Sequence, residues 1–107
     1  CNEKGFKSEI IRNVTNKEMK AGEAYFVPSD RNLVRLVKMA SEKNLELGKD
    51  VGIVSFNDTV LKEVVAGGIT TISTDFQLMG QTLARMIQER SSEKNRNHSS
   101  LIRRNSL

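Results

Sequence analysis

The run Val51-Gly52-Ile53-Val54-Ser55-Phe56 carries no charged residue and passes straight into Asn57-Asp58-Thr59. Continuous rather than alternating hydrophobicity is the pattern of a strand buried on both faces, as in parallel sheets covered by crossover helices. A second run, Glu23-Ala24-Tyr25-Phe26-Val27, is short, aromatic and β-branched, and Pro28 closes it. A third, Ile69 to Ser73, follows Gly67-Gly68, and a fourth, Leu101 to Asn105, ends the apolar pattern. These four runs are read as strands.

Helical stripes separate them. Leu33, Leu36, Val37 and Ala40 recur at three and four residues behind Ser29 and Asp30, which sit where caps belong, and Lys43 and Asn44 mark the end. Asp58 or Thr59 caps a shorter helix that ends at Ala66, where Gly67 and Gly68 supply the positive φ that stops it. Asp75 precedes Phe76, Met79, Leu83, Met86 and Ile87, a further stripe. Lys7 to Ile11 is read as a short strand, Arg12 to Gly22 as a polar connection, and Arg90 to His98 as another. Strand and helix in alternation predict an α/β fold with a parallel sheet and right-handed crossovers.

Ligands of such sheets bind beyond the carboxyl ends of the strands, where connecting loops and helix N-termini present free N–H donors. Three strand-to-helix junctions carry small polar residues: Ser29-Asp30, Asn57-Asp58 and Thr74-Asp75. Parallel strands bring all three to one edge, to which Phe76 adds an aromatic face. Hydroxyls, an amide, carboxylates and one ring suit a sugar or another small polyol, because amides and carboxylates bind paired hydroxyls while a ring covers C–H groups. The plainer role of the same residue types is helix capping, each cap contributing ~1 kcal/mol without any ligand.

Other chemistries lack their residues. With one Cys and one His in the chain, no Cys/His metal cluster can be assembled, and Cys1 has no partner for a disulfide within the chain. There is no phosphate-cradling glycine motif and no nucleophile elbow, so neither an enzymatic activity nor a cofactor is expected. No apolar run approaches the ~18 residues of a membrane span. The whole +4 charge excess lies from Arg85 onward, six basic residues against Glu89 and Glu93. That segment has no aromatic platform for bases and is read as a solvated connection, not as a nucleic-acid surface.

Four motifs in order carry a family resemblance: Ser55-Phe56-Asn57-Asp58-Thr59, Ile69-Thr70-Thr71-Ile72, Asp75-Phe76-Gln77-Leu78-Met79-Gly80-Gln81-Thr82, and Leu101-Ile102-Arg103-Arg104-Asn105-Ser106. From about Ala24 to the end the chain resembles the C-terminal part of the effector-binding domain of the lactose repressor and galactose repressor family, while Cys1 to Gly22 matches weakly. The resemblance implies one lobe of a periplasmic-binding-protein-like type I domain, an open, mostly parallel sheet with helices on both faces. It also implies that residues 1–107 are an incomplete piece, without the DNA-binding domain and most of the other lobe. The expected function is sensing of a small effector, a sugar in the first instance, by a bacterial transcription regulator. In the family the last helix, here Phe76 to Glu89, crosses to the other lobe.

The ligand-binding residues implied are Ser29, Asp30, Asn57, Asp58 and Phe76. Asn57 stands where the family has an effector-binding aspartate, so it keeps an acceptor, adds donors and removes charge. Asp30, Asp58 and Asp75 are read first as structural caps. Partners expected are the effector, DNA through a domain outside this segment, and a second copy in a homodimer, with the exposed faces of Asn32 to Lys43 and Leu61 to Val65 as its suspected surfaces. A cytoplasmic location is expected, and no membrane partner. The alternative with the same fold is a periplasmic sugar-binding protein serving a transporter.

Overall fold

The computed structural model describes residues 2–107. Cys1, which has no disulfide partner in the sequence, lies outside the described residues. The chain order is β1 (Ala24–Val27), α1 (Asp30–Glu42), β2 (Gly52–Phe56), α2 (Val60–Val64), β3 (Thr70–Thr74), α3 (Phe76–Gln88) and β4 (Ser99–Ile102). The strands form one sheet in the order β1-β2-β3-β4. β1 and β2 are parallel with Val27 opposite Ser55, β2 and β3 are parallel with Phe56 opposite Ile72, and β4 runs antiparallel with Leu101 opposite Ile72. The mostly parallel α/β sheet is the one expected.

Right-handed crossovers along a sheet that grows in one direction set both connecting helices on the same face. The contacts agree: Leu33, Leu36 and Ala40 of α1 are buried with Val27, Val51, Ile53 and Ile69 in one core, and α2 reaches α1 through a Lys62–Asp30 ion pair. Burying a leucine such as Leu36 contributes about 1.5 to 3 kcal/mol. The opposite face carries Phe26, Val54, Phe56, Ile72 and Leu101 by register, and Phe26 and Leu101 are 59% and 58% exposed. Two expectations are therefore met on one face only. β2 is buried alternately, at Ile53 and Ser55, and helices cover one side of the sheet, because both crossovers in this segment fall on that side.

The ends of the chain differ from the sequence reading. Lys7 to Ile11 forms no strand and Ile10 is 94% exposed, although the outer edge of β1 is free of a partner strand among the described residues. The supposed polar connection Arg12 to Gly22 contains a single 3-10 turn, Val14–Asn16, and buries Val14 and Met19 in the core. The last strand ends at Ile102, three residues before the expected Asn105. Beyond it, Ser106 is fully buried and wedges between β2 and β3. Its Oγ donates to Ile53 O at 2.6 Å and accepts from Thr70 N at 2.8 Å, and its carbonyl accepts from Ile53 N at 2.7 Å. The closing segment lies so near Gly48 that a Cβ there would sit 1.9 Å from Asn105 O. Gly48 also has φ +83, which side chains disfavour.

Candidate functional site at the carboxyl edge of the sheet

Each parallel strand leaves the sheet at the same edge and enters a helix through a polar residue. Ser29, extended at φ −87 and ψ 127, caps α1, its Oγ accepting from Asn32 N at a long 3.5 Å. Thr59 caps α2, accepting from Lys62 N at 3.4 Å. Asp75 caps α3, accepting from Leu78 N at 2.9 Å. Of the three carboxylates read first as caps, only Asp75 is one. Asp30 is the first residue of α1 and pairs with Lys62, and Asp58 precedes the cap Thr59.

Asn57 has the most unusual surroundings. Its backbone turns left-handed at φ 57, which Asn tolerates better than most residues. Its N–H donates to Ile72 O at 2.8 Å, prolonging the β2–β3 ladder, and its carbonyl accepts from Lys62 Nζ at 2.7 Å. Its Oδ1 is buried and has no hydrogen-bond partner among the described residues. A buried acceptor without a donor is costly, and few are found in native proteins.

Asp58 is engaged on both oxygens. Arg104 Nη1 and Nη2 reach Oδ1 and Oδ2 at 2.7 and 2.8 Å, and Thr71 Oγ1 donates to Oδ1 at 3.2 Å. The Arg104 hydrogen bonds hold the Asp58 carboxyl below the ordinary carboxylate range, and the same pairing raises the Arg104 guanidinium. Asp58 N donates to Ser73 Oγ at 3.0 Å, joining the second junction to the third. Phe76 opens α3 and is 54% exposed.

The five residues proposed from the sequence thus lie along one edge in three connected junctions. Asp30 and Asp58 carry ion pairs within the chain, whereas Asn57 and Phe76 have side-chain capacity to spare. Sequence reasoning missed Lys62, which is 3% exposed and touches both Asn57 and Asp30. It also missed Arg104, whose partner lies 46 positions away. Two grooves in the molecule lie elsewhere. One of about 430 Å³ runs between the end of α1 and Asn105, and one of about 460 Å³ between α3 and residues 93–97. No helix among the described residues is long and apolar enough to cross a membrane.

The profile of the periplasmic binding protein-like domain matches residues 2–107. The HTH-type transcriptional repressor MelR of Bacillus subtilis (strain 168) is 31% identical over 68 residues, covering 64% of this chain and 20% of that protein. The lactose operon repressor of Escherichia coli (strain K12) is 32% identical over 59 residues, covering 55% of this chain and 16% of that protein. In structure, the lac repressor dimer bound to operator and the anti-inducer ONPF superposes with a TM-score of 0.62 at 26% identity, covering 78% of this chain and 27% of that one. The chain spans a fifth or less of the length of these curated relatives. It belongs to the periplasmic binding protein-like domain family, and its relatives there are the lactose-repressor-type regulators that its motifs resemble.

Proposed function

We propose that this chain is part of the effector-sensing domain of a bacterial transcription regulator, and that its carboxyl edge forms one wall of a cleft for a small neutral effector, a sugar. The observation that carries the reading is the buried, unpartnered Oδ1 of Asn57 at the end of a parallel strand. Turning of the Asn57 amide toward the edge would let a ligand hydroxyl supply the missing donor. Ser29 offers a hydroxyl at the neighbouring junction, and Phe76 a ring for C–H faces. Asp30 and Asp58 are neutralised by Lys62 and Arg104, which favours an uncharged polyol over a charged ligand.

On this reading, closure of a second lobe over the edge shifts the hinge and changes DNA binding by a domain outside this segment. Val34 on α1 and Leu61 and Val64 on α2 are exposed, which supports a second copy docking along these helices. Transport, the other function the fold allows, gains no support from the curated relatives, both of which are repressors.

Calorimetric titration of the two-lobed protein with a panel of neutral mono- and disaccharides tests the site. Asn57→Ala should weaken the sugar that binds by about 1 to 3 kcal/mol, the cost of leaving a buried partner unsatisfied. Unchanged affinity in a folded variant would remove Asn57 from the site.

A further inference from the structure

Lys62 is a charged residue in a place where charged residues are rarely found. It projects from the five-residue α2 yet is 3% exposed, and no apolar residue of that helix is buried as deeply. A lysine on a surface helix ordinarily keeps its ammonium in water. An ammonium taken out of water must be paired and hydrogen-bonded to persist as a cation. It has three N–H donors and no acceptor, and here three acceptors meet it: Phe56 O at 2.8 Å, Asn57 O at 2.7 Å and Asp30 Oδ1 at 3.0 Å.

The two carbonyls belong to consecutive residues. In an extended strand, successive carbonyls point to opposite sides, so both can reach one cation only where the chain turns between them. The turn is the left-handed conformation of Asn57, φ 57. The same rotation leaves Asn57 N–H on Ile72 O, at the end of the ladder, and leaves Oδ1 buried without a partner. The third acceptor, Asp30, stands at the start of α1, so one ammonium joins the first junction to the second.

We propose that Lys62 is the positioning residue of the candidate site, its ammonium gathering the Phe56 and Asn57 carbonyls and Asp30 so that Asn57 is held left-handed with its amide ready for a ligand. The ligand part of this proposal rests on the proposed sensing function; the positioning part does not. Lys62 touches no ligand in this account, and its donors are fully used within the chain. Its position in the sequence gives no hint of this, because it falls among the polar residues of a short amphipathic segment.

The unmodified chain provides the first test, by NMR without ligand. The Lys62 ammonium should exchange slowly with water and show through-hydrogen-bond couplings from Nζ to the carbonyl carbons of Phe56 and Asn57. A rapidly exchanging ammonium with no such couplings would overturn the proposal. A variant cycle provides the second. Lys62→Met keeps the aliphatic stem and removes the donors, and it should shift the Asn57 scalar couplings away from positive φ. Glycine adopts positive φ without a side-chain penalty. The loss of folding equilibrium constant caused by Lys62→Met should therefore be about tenfold smaller in an Asn57→Gly background, a coupling typical of residues in contact. Equal losses in the two backgrounds, or Asn57 couplings that stay at positive φ in Lys62→Met, would contradict the proposal. If Lys62→Met does not fold, the measurement on the unmodified chain still decides. None of these readouts requires a sugar to bind, so they fail independently of the sensing function.

Discussion

Asp58 and Arg104 illustrate how a residue that looks like a ligand contact can be fully occupied within its own chain. The guanidinium grips both carboxylate oxygens from the segment after β4, and Thr71 adds a hydroxyl donor. Because pairing lowers the Asp58 pKa relative to the unfolded chain, the unfolded state binds this proton more readily. The stability from the pair is therefore complete above the unfolded value of about 4 and is lost as pH falls through the lower folded value. Urea unfolding at stepped pH should show this loss on the acid side, and Asp58→Asn should abolish that part of the slope; an unaltered slope would contradict the pairing. Arg104→Met should cost about 1 to 3 kcal/mol at neutral pH, the range for charged hydrogen bonds that are only partly shielded from water. At this scale the sequence was informative about residue types and silent about partners. Asn57 stood out because an amide sits at a strand end, but a partner 46 positions away, like Arg104, leaves no local trace. Lys62 was hidden for a different reason: hydropathy counts a lysine as solvated, and only the convergence of two carbonyls and a carboxylate makes its burial tolerable.

Among the elements, α3 is the one whose sequence and surroundings disagree. Its stripe of Phe76, Met79, Leu83, Met86 and Ile87 is the pattern of a helix that packs, yet none of its residues is buried, and Ile87 is 77% exposed. A helix of 13 residues in water is marginal without a packed face. Hydrogen exchange should therefore find α3 amides exchanging much faster than those of β2 or α1 in the isolated chain. Protection in α3 equal to that of β2 would mean that its apolar face is covered after all. The starts of α1 and α3 were legible from Ser29 and Asp75, because capping is local chemistry, and β1, β2 and β3 were legible from their apolar runs. The misread elements depended on distant surfaces. Lys7 to Ile11 had a strand's composition but does not pair with the free edge of β1. Arg103 to Asn105 looked like more of β4, but the chain turns inward there so that Ser106 can bond β2 and β3.

The whole molecule is larger than its chain length requires. Its radius of gyration is 17.0 Å with extents of 54 × 34 × 22 Å, where a compact chain of this length would give about 13 Å. The excess comes with a projecting α3 and a sheet covered on one face, both of which the alternating sequence pattern could not foretell. That pattern specifies a parallel sheet, but which face each helix covers depends on strand order, and strand order is set by pairing across the whole chain. On the proposed sensing function, the carboxyl edge of this one-sided sheet is one wall of the site, and one wall alone should bind weakly. The direct measurement is an NMR titration of the 107-residue chain with neutral mono- and disaccharides. Weak, millimolar association with shift changes centred on Ser29, Asn57 and Phe76 is the expected result. Micromolar affinity, or shift changes centred instead on the groove beside Val37 and Leu45, would contradict a two-walled site at the carboxyl edge.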